Sequence, residues 1–194
     1  IGDFRFYGSY EKLCDIMKSM KIMFNLEHHS CYSHPHGGCY ILRYNNCIFS
    51  RILELAGVPR GNKIATPFLV PSWIMNSSNN IKRNFLSALF SDEMGKIYKN
   101  KYGVWSGLKF KMSKSEEYLN NLVLFLSQIR RLLYEFGIRT TQVRIGKTEK
   151  FCRKDGIITY PAMFSIYTRY PNRKLFFQKV GFTDLKKQKH LNNS

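Results

Sequence analysis

The decapeptides FRFYGSYEKL at 4–13 and FKMSKSEEYL at 110–119 can be laid on each other without a gap. Each places an alternating strand directly before an amphipathic helix, and the order strand–helix–strand–strand–helix runs through both halves. The helix ending LAGV at 55–58 lies against the one ending KVGF at 179–182. The order of elements carries more weight than the matched letters. It predicts an α+β chain with a pseudo-twofold duplicated αββαββα plan. The expected organisation is an N-terminal half over 1–60, a Gly- and Pro-containing linker over 61–79 and a C-terminal half over 80–194. In this register the counterpart of a helix ending at Glu93 falls before residue 1, so the first half is expected to be incomplete and to lack its own acid-ending helix.

That helix, NIKRNFLSALFSDEMG at 80–95, holds the most unusual local chemistry. Phe85, Leu86, Leu89 and Phe90 spread over one side, while Asn84, Ser87, Ala88 and Ser91 share a stripe of small side chains. Such a stripe lets a second helix approach closer than the usual separation of about 8–10 Å. Asp92 and Glu93 stand in the last turn, where the helix dipole disfavours a carboxylate by roughly 0.3–1 kcal/mol. Gly95 is expected to supply a left-handed stop. Acids placed at that cost point to a divalent cation.

Charge selects the partner. Against 31 Lys and Arg stand only 13 Asp and Glu, a net charge of +18 dispersed along the whole chain. A surface with that field suits a polyanion, whether DNA, RNA or an anionic membrane surface. No apolar run approaches the roughly 18 residues of a membrane span, and no signal peptide is visible. The odd count of cysteines, 5, with no CxxC pair favours reduced thiols and a cytoplasmic protein.

Candidate nucleic-acid contacts lie on strands. Lys109 and Lys111 alternate with Leu108 and Phe110, which puts basic and apolar side chains on opposite faces. Gln142, Arg144 and Lys147 fall on an alternating stretch from Thr140 to Thr148, with Arg139 just before it. Arg153, Lys154 and Arg169 flank a further strand over 157–170 that contains Pro161. Arginine suits guanine edges and glutamine adenine, whereas lysine mostly neutralises phosphate. Other expected elements are helices over 47–56, 116–136 (with Ser115 as N-cap) and 172–180, then a basic tail. Residues 27–38, polar, His-rich and Gly-containing, read as a hairpin-like connection. Within it and at its end Cys31, His34, His36 and Cys39 offer nitrogen and sulfur ligands, but at a spacing unusual for structural zinc.

Three stretches together resemble the LAGLIDADG homing endonucleases of the archaeal and intein-associated branch. They are FLSALFSDEMG at 85–95, the bridge LELAGVPRGNKIATPFLVPSWIM at 53–75 and the duplicated αββαββα order, and they cover nearly the whole chain. The resemblance implies two acid-ending helices side by side at a pseudo-twofold axis, with saddle-shaped sheets along the major groove of double-stranded DNA. It implies a site-specific double-strand endonuclease that hydrolyses phosphodiesters with Mg2+ or another divalent cation. The chain would work as a monomer with two halves, or depend on a missing N-terminal helix. Glu93 falls on the metal-binding acid, Asp92 beside it, and Ser87, Ala88 and Ser91 on the close-packed face. Met94 departs from the pattern, because the family has glycine directly after the acid. In the other register Gly95 is matched and Met94 displaces the acid. Asp3 reads either as a partner acid or as a residue leading into the first strand. A binding protein that keeps the saddle without cutting, including an RNA-binding maturase-like one, is the alternative function.

Overall fold

The computed structural model describes residues 2–192 apart from 36, 96, 97, 100, 104, 107 and 154. The chain divides into two units, Ile1–Val58 and Pro59–Ser194. Among the described residues no helix is long and apolar enough to cross a membrane.

In the first unit β1 (Asp3–Gly8) leads into α1 (Tyr10–Phe24), followed by β2 (His29–Ser33), β3 (Tyr40–Asn45) and α2 (Cys47–Leu55). The helix starts and stops obey local rules. The Ser9 hydroxyl accepts from the Lys12 N–H and opens α1, and Asn25, at φ 52°, closes it with its N–H on the Lys21 carbonyl. The Asn46 side chain accepts from the Phe49 N–H at 2.8 Å and opens α2. The sheet is antiparallel in the order β1-β3-β2. The polar 27–38 connection therefore contains a strand: β2 pairs along β3 from His29–Tyr44 to Ser33–Tyr40, although its side chains are mostly exposed. Its one partly covered residue, Cys31, packs on a small core of Leu13, Met20, Leu42, Tyr44 and Phe49.

The second unit contains α3 (Ser72–Met75), α4 (Asn79–Glu93), β4 (Tyr98–Lys99), β5 (Trp105–Ser106) and β6 (Lys109–Ser115). A 3-10 turn at Glu116–Tyr118 leads into α5 (Leu119–Glu135). Then come β7 (Arg144–Ile145), β8 (Phe151–Cys152), β9 (Ile158–Ser165), α6 (Tyr170–Lys179) and α7 (Leu185–Asn192). The main sheet runs β6-β9-β7 with β8 also paired to β9, and β4 and β5 form a separate pair. The core lies beneath the main sheet. Phe90 of α4 meets Phe110 of β6 at 5.4 Å and Phe176 of α6 at 5.9 Å, and α5 adds Leu122, Leu126, Ile129 and Leu133.

The repeat is visible in the register. Phe4 pairs with Tyr44 across β1 and β3, their rings 5.2 Å apart, and Phe110 pairs with Phe164 across β6 and β9 at 5.6 Å. Gly57 and Gly181, which follow the matched helices, both have positive φ, 96° and 65°.

Pro161 sits inside the central strand β9, a place that costs a ladder hydrogen bond. Its carbonyl accepts from the Gly146 N–H, so its missing donor faces the gap between β7 and β8, where residues 146–149 turn. A side chain at Gly146 would bring a Cβ to 3.0 Å from the Pro161 ring, a tight approach that glycine relieves.

Three expectations change. Gly95 is not left-handed; α4 instead ends at Met94 (φ −90°, ψ 141°), which is buried and bridges to Phe110, so the chain leaves the helix already extended. Ser115 makes no side-chain cap: it ends β6, and both its N–H and its hydroxyl point to the Ile64 carbonyl. The stretch from Thr140 to Thr148 is not one regular strand. Three residues, 141–143, stand between Thr140 and Arg144, whereas two, 164 and 165, separate their partners Met163 and Ile166, which makes a bulge. The Thr141 hydroxyl fills the disrupted ladder by accepting from the Ser165 N–H at 2.9 Å. The segment 61–79 packs on α5. Phe68 and Val70 donate their N–H groups to the side chains of Asn121 and Gln128 on α5, and Val70 and Ile74 are buried in the core.

That segment also covers Lys114, which points from β6 into the interior and is 1% exposed. Its ammonium donates to the Thr66 carbonyl and to Asn121 Oδ1 and lies 4.0 Å from the Phe68 ring centre. Burial pushes its pKa below the usual lysine value.

Candidate nucleic-acid interface

The outer face of the main sheet follows from strand alternation. Along β6, Phe110 and Lys114 turn inward while Lys109, Lys111 and Ser113 are exposed. Cross-strand register places Lys111 opposite Met163 and Met163 opposite Arg144, so Lys111 and Arg144 share the face. Lys147 is exposed in the turn after β7. One acid interrupts the positive field: Glu149 takes a hydrogen bond from Lys111 at 2.6 Å. That bond, with the nearby charges of Lys111, Lys109 and Arg144, holds the Glu149 carboxyl below the ordinary glutamate value.

Gln142 stands on the bulge, exposed, and does not act alone. Arg130 of α5 donates from Nη1 to Gln142 Oε1 at 3.0 Å and from Nε to Thr140 Oγ1 at 2.9 Å. The guanidinium thus reaches the sheet edge and fixes one end of the amide. Sequence reasoning missed Arg130 because it reads as an ordinary solvated charge of an amphipathic helix; the bulge that brings Gln142 to it has no local signature.

Arg139, Arg153 and Arg169 are placed differently. Arg153 lies at the β8–β9 turn, 3.4 Å from Asp155. Arg139 and Arg169 lie beyond the strand ends, where α5 turns into the sheet and the sheet turns into α6, and both line one cleft. Lys154 lies outside the described residues.

At the end of α4 one acid and the terminal carbonyls meet lysines. Lys63 donates to Glu93 Oε1 at 2.8 Å, with the Glu93 side chain 28% exposed. Lys187 of α7 donates to the carbonyls of Ser91 and Met94 at 2.5 and 2.6 Å, which satisfies the exposed helix end and offsets its dipole. Asp92 is exposed. Of the small-residue stripe, Ala88 is exposed, while Ser87 and Ser91 are buried. The Ser91 hydroxyl donates to the Ser87 carbonyl and accepts from the N–H and hydroxyl of Thr183, so the segment before α7 covers this end of the stripe. Neither lysine was found from sequence: Lys63 lies in the expected linker and Lys187 in the tail, far beyond any helical spacing from Glu93.

Among the described residues no group of three His, Cys, Asp or Glu is placed to hold a metal ion. His36 lies outside them. Asp3 begins β1 opposite Asn45, with Oδ2 2.9 Å from Arg5 and 2.8 Å from Arg43 Nε, the latter an ion-pair contact without a well-aimed N–H. The Arg5 hydrogen bond, aided by the charges of Arg5 and Arg43, holds its carboxyl below the ordinary aspartate value.

Comparison with solved structures gives the homing endonuclease I-DmoI. In complex with DNA and calcium it superposes with a TM-score of 0.54 at 12% identity, covering 92% of this chain and 74% of I-DmoI. A mesophilic variant of I-DmoI gives 0.53 at 12%, covering 92% and 79%. The chain has that LAGLIDADG-type α+β fold. Among curated proteins it is 34% identical over 145 residues to the tRNA-splicing ligase RtcB of Pyrococcus abyssi, covering 70% of this chain and 16% of the ligase. It is 33% identical over 141 residues to RtcB of Methanopyrus kandleri, covering 73% and 13%. RNA polymerase subunit Rpo1N of Methanocaldococcus jannaschii gives 33% over 141 residues, covering 72% and 10%. The chain therefore spans about a sixth or less of these curated relatives. No family model matches it.

Proposed function

We propose that this chain is a site-specific double-strand DNA endonuclease of the homing type, or the larger part of one, which hydrolyses phosphodiesters with a divalent cation. The observation that carries the reading is the exposed basic face of Lys109, Lys111 and Arg144 on the same unit as an acid-ending helix, within a fold like that of I-DmoI. The curated relatives support it indirectly. A ligase and a polymerase subunit share no single chemistry by name, yet each carries a short stretch like this chain, which suits a module independent of its host.

The outer face binds the duplex by neutralising phosphates with lysine, while Arg144 and the Arg130-buttressed Gln142 reach base edges. Glu93 is the residue that would hold the cation, beside Asp92. One or two carboxylates and no nitrogen or sulfur ligand suit a hard ion such as Mg2+, which keeps several waters and takes phosphate oxygens. The ion, when bound, supplies charge stabilisation to the attacking and leaving oxygens of the phosphodiester. Lys63 holds Glu93 through its ammonium, and a cation on Glu93 would compete with it.

The test is a nicking assay with Mg2+ on a cognate duplex. Glu93→Gln should reduce cleavage at least a hundredfold with DNA affinity within a few fold of wild type. Unaltered cleavage would sink the assignment. The second reading, a binder that no longer cuts, is favoured by one observation: Lys63 pairs with Glu93 and Lys187 caps the carbonyls of Ser91 and Met94, so Glu93 and the helix end have partners without any cation. Binding without nicking in the wild-type chain selects that reading.

A further inference from the structure

We propose that the cleft between the α5–β7 turn and the start of α6 binds an unpaired stretch of DNA, with Tyr167 stacking on a base and Arg139 and Arg169 holding its phosphates. This rests on the DNA-binding reading but uses a different surface from the outer sheet face.

The cleft encloses about 720 Å3 and is lined by Gly137, Arg139, Tyr167, Arg169, Pro171 and Leu175, with Asn172 in its wall. Its volume lies in the range of small-ligand pockets, about 300–1,000 Å3. Its walls are fixed. Asn172 Oδ1 accepts from the Arg139 N–H at 2.6 Å, and its amide nitrogen donates to the carbonyls of Arg139 and Tyr167 at 3.0 and 2.8 Å. One side chain therefore ties together both strand ends that form the cleft, and the arginine and tyrosine side chains project from a braced backbone.

A second depression of about 570 Å3 shares Arg139 and Tyr167 and continues past Arg130, Arg131 and Tyr134. The tyrosines are open: Tyr134 is 74%, Tyr167 49% and Tyr170 64% exposed. The nearby acid, Glu135, is shared between Lys82 at 2.7 Å and Arg131 at 4.0 Å, so it offsets part of the field of Arg131 and leaves Arg139 and Arg169 without it. A positive track interleaved with exposed aromatic rings is the surface that single-stranded nucleic acid recognises, because every unpaired base has a π-face and every linkage a phosphate. A duplex hides its base faces and could offer this cleft only its backbone. A free nucleotide would fill the first cleft without extending into the second depression.

The experiment measures anisotropy of a labelled twelve-residue oligothymidylate and of a blunt duplex on the full chain at low salt. Tyr167→Ala should weaken the single strand about tenfold, as expected from about 1–3 kcal/mol for stacking per base. Tyr167→Phe should stay within twofold, and Arg139→Ala/Arg169→Ala should weaken the single strand at least tenfold. Each should change duplex binding less than twofold, while Lys109→Ala/Lys111→Ala should do the reverse. These side chains are exposed, and thermal melts check that the variants stay folded. No binding of the oligothymidylate by the wild-type chain overturns the proposal. So does a single-strand affinity unmoved by these substitutions, or an equal loss on the blunt duplex, which would make the arginines ordinary duplex contacts. Retained single-strand binding with no duplex binding would sink the endonuclease reading and leave this one standing.

Discussion

Phe176 and Ile52 occupy matching places in the two units, on the helix that follows each sheet and ahead of the positive-φ glycine. Phe176 is fully buried, with Phe90 of α4 against it. On α2, Ile48, Ile52 and Leu55 form a stripe at helical spacing that is 73%, 52% and 73% exposed. The sheets behind the two helices pair alike, down to Phe4–Tyr44 and Phe110–Phe164. The second unit has α4, and the first has no counterpart to it among the described residues. In the second unit Phe90 of α4 therefore covers a helix position whose counterpart on α2, Ile52, is half exposed.

The largest expected effect follows. Phe90→Ala or Phe176→Ala should cost about 3–5 kcal/mol, the usual range for an emptied aromatic site, whereas Ile52→Ala should cost less than about 0.5. Urea unfolding followed by tryptophan fluorescence reports the second unit, since Trp73 and Trp105 both belong to it. Hydrogen exchange at α2 reports the first. Similar losses at Phe176 and Ile52 would mean that the two helices are equally covered in solution.

The outer faces differ next. The places of Lys109 and Lys111 are taken in the first unit by Asp3 and Arg5. Lys109→Ala/Lys111→Ala should lower the slope of log affinity against log salt by about 2 for duplex DNA, close to 0.9 for each phosphate left without its lysine. Arg5→Ala should lower it less, because Arg5 is already paired with Asp3. Smaller still, Glu149→Gln should tighten duplex binding two- to fivefold by freeing Lys111 from its internal counter-ion. Loosened binding would mean that Glu149 positions the lysine for DNA.

The smallest effect is in acid. Asp3 and Glu149 both have folded pKa values below their unfolded ones, so each adds stability that is present above the unfolded value, about 4, and is lost as pH falls through the lower folded value. Stability should be insensitive to both between pH 8 and 5. A carboxyl-carbon NMR titration should find Asp3 below the ordinary midpoint in the wild type and nearer to it in Arg5→Ala.

The repeat was legible because strand alternation and helix periodicity are local, and because Gly57 and Gly181 mark both helix ends in letters. The basic outer face was legible for the same reason: Lys109 and Lys111 can only share a face. Three things were not. Residues 27–38 read as hairpin-like, but the strand β2 within them has polar side chains and is specified by pairing with β3, which no window of 27–38 contains. The end of α4 is set by Met94 bridging to Phe110, so the glycine signal at Gly95 misled. The partners of Glu93 and Gln142 arrive from the 59–71 segment and from α5, and such long-range charge meetings leave no spacing to read.

Lys114 has a practical consequence. An amine without water around it, whose protons are shared with a carbonyl and an amide oxygen, is protected from acylating reagents by the peptide laid over it. Modification at Lys114 should lag behind that of the exposed lysines, and its rate would clock how often the 59–71 strap lifts away from the sheet.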